Sequence, residues 1–165
     1  MLASEMMDAI LIGIKSLVQE LPDLPSELVR VAIEDTKKVL KDEHYKLDLG
    51  RWHDYDKHDG RCAVCFGGAV MSKSLGLSPK MTAIPSSFGA SNARKLSALD
   101  CFRSGKLYDG CLMMGIDKDE LHMLPLSVFV RCIDVDSSGE QFDKSAEEFL
   151  SDMETVASVL ERNNF

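Results

Sequence analysis

Ten consecutive residues, Cys62-Ala63-Val64-Cys65-Phe66-Gly67-Gly68-Ala69-Val70-Met71, carry no charge and no wet face. A segment that is apolar all round has no surface side, so it belongs at the centre of whatever this chain folds into. With its flanks it predicts a helix over 61–75, started by Asp59-Gly60, that serves as the hub of the core. Gly67 and Gly68 need a reason to be there, because each costs about 1 kcal/mol relative to alanine in an exposed helix. Close approach of a neighbouring helix at Ala63, Gly67 and Gly68 is the expected compensation.

The rest of the chain is patterned around such a centre. Met6, Met7, Ile10, Leu11, Ile14, Leu17, Val18 and Leu21 recur at helical spacing, and Ser26 to Leu40 reads as a second helix across the link Pro22-Asp23-Leu24-Pro25. The two would form an αα-hairpin. Near the other end, Ser145-Ala146-Glu147-Glu148 is a capping box ahead of an apolar stripe of Phe149, Leu150, Met153, Val156, Ala157 and Leu160. A helix starting near Ser91 and ending at Gly105, followed by a short one over 106–114, is expected between them, and 77–89, with Pro79 and Pro85, reads as a loop. Alternation of Tyr45, Leu47 and Leu49 with Lys46, Asp48 and Gly50 gives an extended segment, and the Val- and Phe-rich stretch 126–133 is its natural partner for a small two-stranded β element. The expectation is therefore mainly α: a single-domain helical bundle, residues 1–165, around a buried central helix at 61–75. At 165 residues, 45% hydrophobic and 28% charged, one packed core suffices.

Charge excludes some partners. Acidic residues outnumber basic ones 27 to 19, and the lysines are dispersed among carboxylates, which is unsuited to replacing counterions on nucleic acid or on an anionic membrane. No apolar run is long enough to span a bilayer, and Met1-Leu2-Ala3-Ser4-Glu5 lacks the basic start of a signal peptide. Five cysteines, an odd number in mostly apolar surroundings, suit a reducing cytoplasm better than a disulfide framework.

The polar approach 52–60 and the apolar run behind it hold the residues with the most chemical potential. His53, His58, Cys62 and Cys65 are ligand types zinc prefers, and four suffice for a closed tetrahedral site. Their order matches no common finger, and the plainer reading is two core thiols beneath two solvated histidines. As a redox pair, Cys62-Ala63-Val64-Cys65 would need a buried strand before it and a parallel sheet, neither of which the pattern supplies. Cys62, Cys101 or Cys111 could be activated by His44, His53, His58 or His122 only if the fold brought them together. Asp134 to Gly139 resembles the first half of a calcium loop, but Ser145 stands where the bidentate carboxylate belongs. Trp52 and Tyr55, aromatics in a wet segment, are candidate partner-binding anchors, together with the 77–89 loop.

The runs Leu47-Asp48-Leu49-Gly50-Arg51-Trp52-His53, Cys62 to Met71, and Ala98-Leu99-Asp100-Cys101-Phe102-Arg103-Ser104-Gly105 resemble small uncharacterised accessory proteins encoded by bacteriophages and prophages. The resemblance carries no activity, ligand or catalytic residue. It implies a protein of the host cytoplasm that binds a host or defence component. The leading expectation is thus a non-enzymatic intracellular interaction protein with a protein partner and no cofactor. A zinc-binding module using His53, His58, Cys62 and Cys65, and a thiol-dependent enzyme, are the two alternatives.

Overall fold

The computed structural model describes residues 19–124 and 145–165. The expected helix over 4–21 and strand over 126–133, and the calcium-loop mimic at 134–139, lie wholly or largely outside them. Residues 19–21, the described end of that first helix, are not helical.

Helix α1, Pro25–Leu40, begins where the sequence placed it, with Pro25 in the first turn, where no backbone N–H is required. Leu28, Val29, Ala32, Ile33, Thr36 and Val39 bury one face. The link before it is tied down from a distance: the Leu21 N–H donates to Asn92 Oδ1 at 3.0 Å, and buried Lys95 donates to the Leu21 carbonyl at 2.6 Å while pairing with Asp23. These bonds satisfy backbone groups that the prolines keep out of a helix.

The 61–75 segment is where the sequence expectation needs correction. Its first third is a strand. β1 (Tyr45–Leu47), β2 (His53–Asp56) and β3 (Arg61–Val64) form a mixed sheet in the order β1-β3-β2, with β3 parallel to β1 and antiparallel to β2. The pairings Tyr45 with Cys62 and Tyr55 with Cys62 fix the register across all three strands. Asp59 does not cap a helix: it accepts from the Arg61 N–H in the β2–β3 turn, where Gly60 supplies the positive φ of 72°. Cys65, with an extended backbone, caps helix α2, Phe66–Lys73, its sulfur accepting from the Gly68 N–H at 3.4 Å. A fully buried strand and a fully buried helix both read as unbroken apolar sequence, so periodicity could not locate the junction. The central position itself holds for α2, buried from Phe66 to Ser72 and packed against α1, β2, β3 and the helix Ala90–Arg103.

The architecture is therefore α+β, six helices and a small three-stranded sheet among the described residues, rather than a pure bundle. A 3-10 turn, Pro85–Phe88, leads into α3, Ala90–Arg103. Helices α4, Leu107–Met113, and α5, Lys118–His122, follow. Helix α6, Ala146–Arg162, starts at Ser145, whose Oγ accepts from the Glu148 N–H as the capping box requires. It lies along α1, with Arg30 bridging to Glu154 and Glu161, and sets Phe149 edge-on to Phe66 at 5.3 Å. Among the described residues no helix is long and apolar enough to cross a membrane.

Candidate functional site

The four residues singled out as metal ligands fall into three places. His53 and Cys62 point from adjoining strands toward the same side of the sheet, as diagonal neighbours in the β2–β3 register. The ring is buried, with Nε2 3.0 Å from Ser72 Oγ, Nδ1 3.5 Å from Cys62 Sγ, and the Tyr45 ring edge-on beside it. Cys65 faces elsewhere, its sulfur engaged with the Gly68 N–H and 4.0 Å from the Trp52 carbonyl. His58 stands exposed in the β2–β3 turn, its N–H donating to Asp56 Oδ1. Among the described residues no group of three or more His, Cys, Asp or Glu is arranged to hold a metal ion.

His53 is therefore not a solvated histidine over the core but part of it. The partner that satisfies it, Ser72, lies 19 residues further on, on α2, and nothing local in the sequence signals that bond. Burial pushes the imidazole pKa below its ordinary value, with hydrogen bonding to the Met81 backbone and to its own backbone opposing the shift.

The strand that the redox reading lacked is present, and so is a parallel strand pair, but the thiols are tuned the wrong way. Burial pushes Cys62 and Cys65 each up to about 11, although the Gly67 and Gly68 N–H groups at the start of α2 pull Cys65 down. A catalytic or redox cysteine needs its thiolate, which depressed pKa values supply. The other thiol and imidazole candidates have these neighbours: His44 bonds to Asp42, His122 lies against Tyr108, Cys111 is buried, and Cys101 sits 3.7 Å from Met113 Sδ.

The two aromatic anchors separate as well. Trp52 is half-buried, joins the main core, and lays its ring over Gly67. Tyr55 is half-buried on β2, with Lys80 Nζ 6.0 Å from its ring centre. Lys80 belongs to the 77–89 loop, which is fastened at both ends. The Leu77 N–H donates to the Met71 carbonyl at 2.9 Å, the Tyr45 hydroxyl donates to the Leu77 carbonyl, and Phe88 packs on the core at the far end. Between these fixings Met81 and Ile84 stand 57% and 69% exposed. The loop thus holds two large apolar side chains in water, on a backbone tied to the sheet and to α2, and reaches toward Tyr55 through Lys80.

Compared with protein-family models, with curated proteins and with solved structures, the chain matches none.

Proposed function

We propose that this chain is a non-enzymatic intracellular interaction protein, an accessory factor of the phage-encoded kind it resembles, which engages a host or defence protein through the 77–89 loop. The observation that carries this reading is the exposure of Ile84 and Met81 on a loop anchored at both ends. Exposing apolar side chains costs solvation, and holding them in place lowers the ordering entropy of binding. Tyr55 and Lys80 extend the same surface, whereas Trp52 serves mainly to pack the core beneath it. The thiol-enzyme reading loses weight because Cys62 and its imidazole neighbour are both buried and the thiol is held protonated.

A photo-crosslinking residue placed at position 84 in the native host tests the reading. A discrete crosslinked partner is expected, absent when the probe sits at exposed Glu147 on α6 and weakened by Met81→Asp. The same set of products from both positions, or none from position 84, would overturn it.

A further inference from the structure

A second group of exposed apolar side chains lies on other elements. Leu112, Met113 and Met123 are 37%, 43% and 86% exposed, three of the seven large hydrophobics exposed among the described residues. All three belong to the α4–α5 hairpin. Its fold is fixed: Gly115 turns the chain at a φ of 84°, the Ile116 N–H returns to the Cys111 carbonyl, and buried Leu121 holds α5 down. Tyr108 and Leu112, four residues apart, share a face of α4, and the Tyr108 ring lies 5.9 Å from that of His122, the residue before Met123. Met113 continues the surface toward Cys101 on α3, sulfur to sulfur at 3.7 Å.

The charges around this surface have one prevailing sign. Asp109, Asp117, Asp119 and Glu120 are exposed on the hairpin, against two exposed cations, Lys106 at the cap of α4 and Lys118 on α5, over 106–123. The whole chain adds a formal charge of −8. Methionine thioethers are flexible and polarisable and adapt to differently shaped partners. Exposed apolar side chains on elements that also carry an excess of exposed carboxylates match a helix with leucine-like side chains on one face and lysine or arginine along its borders. A second acidic copy of this chain, or an anionic lipid surface, would meet like charge instead.

We propose that the α4–α5 hairpin is a docking surface for a basic amphipathic helix of a partner protein. The interaction is independent of the 77–89 loop, and so of the reading built on it.

The test titrates the full chain against a fluorescently labelled synthetic peptide with leucine at helical i, i+3, i+4 spacing and lysine elsewhere. The control peptide replaces every lysine by glutamate. The lysine peptide should bind and weaken as salt rises. Leu112→Gln with Met123→Gln should weaken it about tenfold or more, roughly 1.4 kcal/mol by the affinity relation. Ile84→Asp should leave it unchanged. All the substituted side chains are exposed, and an unaltered far-UV spectrum confirms that the fold is kept. Equal binding of the glutamate peptide, equal binding by the double variant, or no binding at all would overturn the proposal. So would self-association of the chain that Met123→Gln abolishes, which would make a second copy the occupant.

Discussion

The backbone carbonyl of Trp52 lies against Gly68 so closely that a Cβ at residue 68 would overlap its oxygen. One residue earlier, a Cβ at position 67 would fall 2.5 Å from the Trp52 ring. The two glycines thus admit the loop entering β2, not a neighbouring helix, across the start of α2. This crossing places His53, the next residue, over Ser72.

Gly68→Leu should accordingly lower stability by about 1–3 kcal/mol or more, since overpacking here must displace backbone. Gly67→Ala should cost less, because the obstacle is a side-chain ring with some freedom to tilt. Urea denaturation of both variants measures the difference. A Gly68→Leu protein as stable as the parent would mean that the Trp52 loop does not cross α2.

Trp52→Ala and Tyr55→Ala should behave differently. Removing the half-buried indole from the core opens space over Gly67, for which about 2–4 kcal/mol is reasonable on the scale of large-to-small substitutions. Tyr55, outside both core clusters, should cost under about 1 kcal/mol. Melting curves suffice, and the reverse order would make Trp52 the surface anchor and Tyr55 the core residue.

Much of this fold was legible because its signals are local. The stripe and first-turn proline of α1, the Ser145 cap of α6, and the α3 and α4 helices divided at Gly105 all depend on residues within a few positions of one another. What could not be read depends on pairing at a distance. β3 is a strand because β1 and β2 flank it, and its own residues would suit a buried helix equally well. The candidate cluster divided for the same reason: side chains alternate along a strand, so placing His53 and Cys62 together required the β2–β3 register. The 77–89 loop was legible from its prolines, but the exposure of Met81 and Ile84 was not, since whether a loop side chain is packed depends on elements distant in sequence.

Thiol reactivity gives a further check. At pH 8 in the folded protein, Cys62, Cys65 and Cys111 should resist iodoacetamide, being buried, with the first two pushed up to about 11. Cys101, partly exposed, should be the most readily labelled of the four, although burial and neighbouring carboxylates raise its pKa as well. Mass spectrometry of tryptic peptides assigns the sites. Rapid, selective labelling of Cys62 would restore the thiol-enzyme reading. A melting temperature lowered by a chelator and recovered with zinc would restore the metal one.

His53 should make the protein less stable in mild acid. Its folded pKa is depressed below the ordinary imidazole value of 6.5 by burial, so as pH falls through that value the unfolded chain takes up the proton first. Stability from a neutral buried His53 is fully present above the ordinary value and declines as pH drops toward the folded one. Buried Asp35 has the opposite sign. Its carboxyl is raised above 3.8, chiefly by burial, so it favours the folded state as pH falls back toward 3.8, in a window set by carboxylates. Between pH 7.5 and 5.5 the parent should therefore lose stability that His53→Gln does not lose, the glutamine being unable to titrate. Denaturation midpoints of the two proteins at both pH values decide the matter. Equal losses in parent and variant would mean that His53 is as readily protonated in the folded chain as in the unfolded one, and that its ring is not buried against Ser72.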